Sequence, residues 1–208
     1  MKVVIFDMDG VLADTQEILT EARKDFYAKH QITPAILKGI YHLNFKEKIE
    51  HLNTHHGKEI DFEEAVAATR PKLMQLAVHA RPKPGAIELV HALKGKRKLA
   101  VATSAGKHYC ETVLNALGLA DAFDLIMTSH DVEHPKPHPE IFQRIMQHFQ
   151  ATPEECVVID DGVGCIKTAR QLGMHVIGVQ CAFATAADFA GITNRVVKDL
   201  TELRPEEL

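Results

Sequence analysis

Residues 3–12 read VVIFDMDGVL. The run up to Phe6 is apolar at every position and ends in two acids, Asp7 and Asp9, followed by Gly10. A short apolar run without polar alternation fits a strand buried on both faces of a parallel sheet. Side chains alternate along an extended chain, so Asp7 and Asp9 share one side while Met8 points away. Two carboxylates so close repel each other unless a cation or a shared proton relieves them. One acid at a strand end is ordinarily a cap or turn residue. Two acids followed by a glycine that permits a sharp turn point instead to a site.

Working outward, further runs of strand length occur at Lys2–Phe6, Leu99–Thr103, Leu125–Thr128, Cys156–Ile159 and Val176–Val179. Between them lie segments with helical spacing. In Glu140–Phe149 the residues Ile141, Phe142, Ile145, Met146 and Phe149 fall on one face. Ala86–Leu93, Glu111–Leu117 and Gly164–Leu172 behave alike. This alternation predicts right-handed βα units, and hence a Rossmannoid α/β fold: a parallel sheet with helices on both faces. Ligands of such sheets bind at the carboxyl ends of the strands. From Thr15 to Arg81 no strand is expected, while Glu17–Lys29, Phe45–His56 and Phe62–Val78 read as helices. Arg81–Pro84, with its two prolines, reads as a stiff return linker. The expected division is therefore a core of residues 1–14 and 83–208, with residues 15–82 inserted as a helical cap domain.

Composition sets the outer bounds. The 208 residues carry a net charge of −4, so no basic excess draws in a nucleic acid. No run is apolar enough to span a bilayer, and the acids break the N-terminal apolar stretch too early for a secretory signal. The four cysteines form no C-x-x-C pair and read as reduced packing residues, which makes a cytoplasmic location the expectation. No obligate protein partner is evident. The thirteen histidines include His51 with His55 and His134 with His138, but nothing in the sequence fixes a third ligand for zinc. Solvated or substrate-facing histidines are the expectation.

The acid motif at the first strand end has counterparts downstream. The fourth run ends in Asp160-Asp161-Gly162 and the second in Thr103-Ser104, while Lys136 sits in the proline-rich turn His134–Pro139. Singly, these are a common turn, a common turn and a solvated lysine. Together they bring acids, hydroxyls and a cation to one edge of one sheet. Carboxylate oxygens suit a hard ion such as Mg²⁺. A metal, a lysine and a hydroxyl donor are what a phosphoryl group needs.

In these four stretches the chain resembles the haloacid dehalogenase superfamily, in particular its phosphatases and β-phosphoglucomutase-like members with a helical C1-type cap. Asp7-Met8-Asp9-Gly10-Val11 matches the first motif, Thr103 the second, Lys136 the third and Asp160-Asp161 the fourth. The resemblance implies an aspartyl-phosphate mechanism. Asp7 would be the nucleophile and Asp9 the general acid and base. Thr103, with Ser104 beside it, would hold a phosphate oxygen, and Lys136 would neutralise Asp7 and the phosphoryl group. Asp7, the backbone carbonyl of Asp9, and Asp161 would hold Mg²⁺, with Asp160 either a further ligand or a partner of the ligands. The segment Lys38–His42 is similar to the substrate-recognition stretch of the mutases, which nominates Lys38 and His42, and Lys107 follows the second motif closely enough to meet an anion. Gly162 stands where relatives often carry serine, and Cys165 where they carry glycine. Cys165 reads as a packing residue, because nothing near it in sequence would stabilise a thiolate.

The reading is an Mg²⁺-dependent phosphatase acting on a small phosphorylated metabolite, a sugar phosphate or similar. The alternative is a phosphohexomutase. A carbon–halogen hydrolase would have no use for the acid Asp9, because a halide leaves without a proton. A phospho-receiver domain is shorter and has no helical insertion, and a silent binding protein would not need every motif position filled.

Overall fold

The computed structural model describes residues 1–40, 43–193 and 195–208. The apolar runs become β1 (Val3–Phe6), β4 (Lys98–Ala102), β5 (Leu125–Met127), β6 (Cys156–Asp160) and β7 (His175–Val179). A short β8 (Val196–Val197) completes a six-stranded sheet in the order β5-β4-β1-β6-β7-β8, with every pairing parallel. The helices α5 (Ala86–Leu93), α6 (Lys107–Ala116), α7 (Glu140–Phe149) and α8 (Val163–Gln171) lie in the connections. The apolar residues of β1 serve both faces of the sheet. Val4 and Phe6 join one buried cluster with Leu89, Val113 and Leu114, while Val3 and Ile5 join the other with Phe142, Ile145 and Ile166. This is the reason β1 carries no polar residue.

The strand order reverses at β1, which is flanked by β4 on one side and β6 on the other. Such a switch point leaves a crevice at the carboxyl ends of the strands. Phe6 is in register with Val101 of β4 and Ile159 of β6, so Asp7 emerges level with Ala102 and Asp160.

After β1 the chain makes the two-residue β2 (Ala13–Asp14) and then four helices: α1 (Gln16–Lys29), α2 (Pro34–Gly39), α3 (Phe45–His56) and α4 (Phe62–Ala77). Phe26, Tyr27, Ile32, Ile49, Leu52 and Ile60 form an apolar cluster of their own among these helices. The ends of α3 follow from local signals. Asn44 and Glu47 make a reciprocal capping box at its start, and Gly57, with φ of 59°, closes it in the left-handed region. The short α2 departs from the sequence reading, although Thr33 caps it and Pro34 opens it. The expected linker Arg81–Pro84 is corrected in part. Arg81–Pro82 is a strand, β3, paired antiparallel with β2, Ala13 opposite Pro82 and Asp14 opposite Arg81. A proline fits there because the two-stranded ribbon has only edges, where a missing N–H costs no ladder bond. α6 also begins earlier than expected, at Lys107, because Gly106 ends the extended segment directly behind the second motif.

Phe142 is fully buried between α7 and the sheet. Replacing it by alanine removes its contacts with that layer and leaves a cavity. The expected loss of unfolding free energy is about 3–5 kcal/mol, read from the urea midpoint at unchanged slope.

Candidate active site

Lys136 reaches the crevice from the loop between β5 and α7, and it is 4% exposed. Its Nζ donates to Asp7 Oδ1 at 2.6 Å, to the Ala102 carbonyl at 2.8 Å and to Asp160 Oδ2 at 2.8 Å. All three ammonium protons are thereby used, and the ends of β1, β4 and β6 meet on one nitrogen. Burial alone would discharge this amine. The charges of Asp160 and Asp7 outweigh it and hold the Lys136 pKa well above its usual value. For Asp7 burial prevails, and its carboxyl is pushed up despite the pull of Lys136, with Asp160 and Asp161 adding repulsion.

Asp160 accepts a protein donor on each of its oxygens. Besides Lys136 on Oδ2, the Gly162 N–H donates to its Oδ1 at 2.7 Å. Asp161 is arranged differently. Its Oδ2 lies against Gly10, in the space a Cβ would occupy. Gly10 has φ of 85°, so both its conformation and its missing side chain are required there. Burial first, and then the charge of Asp160, raise the Asp161 pKa to about 7. Oxygens of Asp7, Asp160 and Asp161 lie within 4.8 Å of one another, the one such cluster among the described residues. A crowded, all-oxygen, like-charged donor set fits a hard divalent cation.

Asp9 is kept apart from this cluster. Its Oδ1 accepts the Thr15 hydroxyl at 2.5 Å and the Tyr109 phenol at 3.0 Å. Burial raises its pKa, and these two bonds oppose the shift. Thr15 occupies the position before α1 without capping it, its hydroxyl being committed to Asp9. Tyr109 itself is pushed far up, by burial and then by the charge of Asp9, and so remains a donor. Sequence reasoning missed both. Thr15 stands close behind the first motif, while nothing in the sequence pairs Tyr109 with a residue a hundred positions earlier.

Of the other expected residues, Thr103 is buried, and its Oγ1 accepts the Ala105 N–H at 3.0 Å, which leaves its own proton to donate. Ser104 is half-buried beside it, and Lys107 is exposed at the first turn of α6. Lys38 is exposed near the end of α2, and His42 lies outside the described residues. The helical segment instead touches the site through Asn44, whose Nδ2 donates to the Lys136 carbonyl at 3.3 Å. Cys165 is held neutral, burial and Asp160 raising its pKa well above the usual thiol value. The His51–His55 and His134–His138 rings lie 4.4 and 4.7 Å apart, with no third metal donor grouped with either pair among the described residues.

Comparison with known proteins places the whole chain in one family. A family model described as haloacid dehalogenase-like hydrolase matches residues 4–179. The chain belongs to this family. Among curated relatives of this hydrolase, the validoxylamine A 7'-phosphate phosphatase of Streptomyces hygroscopicus is 29% identical, over 98% of this chain and 96% of its own. The phosphorylated carbohydrates phosphatase of Thermotoga maritima is 30% identical, over 85% and 84%. In fold, the chain is similar to CbbY from Rhodobacter sphaeroides, solved in complex with phosphate, with a TM-score of 0.85 at 22% identity and coverage of 97% and 96%. No helix among the described residues is long and apolar enough to cross a membrane.

The raised Asp161 pKa fixes the sign of a pH effect. A carboxyl whose folded pKa lies above its unfolded value of 3.8 binds more protons folded than unfolded. Its stabilising contribution is full below the unfolded value and is lost as pH rises through about 7. In chelator, the urea stability of the parent should therefore fall from about pH 5 to about pH 7 more steeply than that of Asp161→Asn. Equal slopes for the two would refute the assignment.

Proposed function

We propose that this hydrolase is an Mg²⁺-dependent phosphatase of small phosphomonoesters, a sugar phosphate or similar metabolite, working through an aspartyl-phosphate. The observation that carries the reading is the division of labour between the two acids of the first motif. Asp7 lies on the Lys136 cation beside Asp160 and Asp161, while Asp9 is held separately by Thr15 and Tyr109.

In this reading an Asp7 carboxylate oxygen attacks phosphorus, and the bond from phosphorus to the leaving oxygen breaks. Asp9 gives that oxygen its proton. Asp9 then takes a proton from water, the water oxygen attacks phosphorus, and phosphate departs with Asp7 restored. The raised pKa of Asp9 suits a group that must carry a proton and release it. Thr103 donates to a phosphoryl oxygen, and Lys136 offsets charge on Asp7 and on the group being transferred. Asp7 and Asp161, with the Asp9 carbonyl, would hold Mg²⁺, which supplies positive charge against the phosphoryl oxygens. Asp160 serves as a support, since both its oxygens already accept bonds from Lys136 and Gly162. Ser104 and Lys107 after the second motif, and Lys38 and His42 in the cap, remain the substrate-contact candidates nominated by the sequence.

The test is free phosphate released from a panel of sugar phosphates and related phosphomonoesters with Mg²⁺. EDTA should abolish release and added Mg²⁺ should restore it. Asp7→Asn keeps the shape without the attacking charge and should lower turnover by at least about a thousandfold. Near-parental turnover of folded Asp7→Asn sinks the covalent route, and an isomerised sugar phosphate without free phosphate points to a mutase instead.

Asp9→Asn separates attack from proton transfer. With p-nitrophenyl phosphate, whose leaving group needs little protonation, it should give a small burst of nitrophenol and then stall. Steady parental turnover of this substrate by Asp9→Asn would remove Asp9 from the role of base.

A further inference from the structure

Among the described residues, both hydrogen bonds to the Asp9 carboxylate end on one oxygen. Oδ1 accepts the Thr15 hydroxyl at 2.5 Å and the Tyr109 phenol at 3.0 Å. A carboxylate oxygen has two lone pairs, so Oδ1 is filled and a proton carried by Asp9 belongs on Oδ2. The donors are themselves enclosed. Thr15 is fully buried, and the Tyr109 ring packs in the apolar cluster that holds Met8, Leu12 and Val113. Asp9 as a whole is only half-buried, so one side of it stays open.

The backbone of Asp9 is fixed independently. The Met8 carbonyl accepts the Leu12 and Ala13 N–H groups at 3.0 and 2.9 Å, and the Gly10 N–H donates to the Ala13 carbonyl at 2.8 Å. This turn does not fix the rotation of the carboxyl group, a broad, roughly two-fold torsion. The two donors do, and they come from different places. Thr15 stands at the entry to the helical segment, while Tyr109 lies in the first turn of α6, the helix directly behind Thr103. The phenol thus ties the setting of Asp9 to the element that follows the phosphate-holding threonine.

We infer that Tyr109 is a positioning residue for proton transfer: by occupying Oδ1 from α6, it turns Oδ2 of Asp9 toward the leaving oxygen. The inference rests on the phosphatase reading and deepens it. As the bond from phosphorus to the leaving oxygen breaks, the proton on Oδ2 passes to that oxygen, and Asp9 is left as the carboxylate. In the second half Oδ2 takes a proton from water, the water oxygen bonds to phosphorus, and the bond from phosphorus to Asp7 breaks. Tyr109, a phenol, keeps its own proton at neutral pH and serves only as a donor. Its removal therefore misaligns the transfer and leaves attack by Asp7 in place.

The test follows release of the leaving group in single turnovers, with enzyme in excess over substrate and Mg²⁺ present. The substrates are p-nitrophenyl phosphate and phenyl phosphate, alike in shape but unlike in how much protonation their leaving oxygens need. Tyr109→Phe should slow phenyl phosphate by about ten- to a hundredfold, the worth of a hydrogen bond to a charged group, and p-nitrophenyl phosphate by less than about threefold. The loss should lie in the rate at saturating enzyme, with the half-saturating concentration unchanged. In the Asp9→Asn background the same substitution should leave the gap between the two esters as it is, because Tyr109 acts through Asp9. Phenylalanine keeps the buried ring and Thr15 still donates to Oδ1, and a urea transition checks the fold of each variant. If the parent takes only sugar phosphates, the same comparison is read between glucose 1-phosphate, whose anomeric oxygen leaves more readily, and glucose 6-phosphate. Equal slowing of both members of a pair, no slowing, or a faster variant, in which the phenol would be holding Asp9 back, overturns the inference. A parent that releases neither a phenol nor phosphate from any of these compounds overturns the phosphatase reading, and the inference falls with it.

Discussion

The site depends on one buried ammonium. Lys136 is enclosed, and its three protons end on Asp7, on Asp160 and on the carbonyl of Ala102. An ammonium taken out of water survives as a charge only when paired and hydrogen-bonded on every side. Here the partners are the ends of three adjacent strands, so the ion also acts as a clasp across β4, β1 and β6. Lys136 contributes one positive charge against the three acids Asp7, Asp160 and Asp161. If all were ionised, the cluster would carry two negative charges, and the upward shifts of Asp7 and Asp161 record how strongly the chain alone resists that state. A divalent cation is the counter-charge of matching size.

Much of this was legible from patterns that are local in sequence. The unbroken apolar run of β1 gave its burial on both faces, and the acids directly behind it gave the end of the sheet to search. Register did the rest: once Phe6 pairs with Ile159, Asp7 and Asp160 must be neighbours. The long helices were readable from the spacing of their apolar residues, as in Glu140–Phe149, whose buried Ile141, Phe142 and Ile145 share one face.

What escaped was either too short for a periodic signal or made by contacts between distant residues. β2 and β3 are two residues each and exist only because they face each other. β8 is equally short and is set by the strand beside it. Tyr109 became important by folding against Asp9, and a tyrosine in the first turn of a helix is in sequence an ordinary core residue. The same holds for Asn44, whose bond to the Lys136 backbone joins residues 92 positions apart in the chain.

The pairing of β2 with β3 has a consequence for how this chain can change over generations. The excursion that starts after Asp14 returns at Arg81, directly opposite its point of departure. Closing a loop whose ends are already neighbours costs entropy that grows only with the logarithm of its length, about 0.6 kcal/mol for each doubling. The sheet is therefore nearly indifferent to how many residues lie between those two positions. Insertions, deletions and wholesale rearrangement there are cheap, whereas a single added methyl at Gly10 would strike Asp161. Two stretches only a few residues apart in the chain thus face different constraints from the sheet, one with its length left open and one held to a single atom.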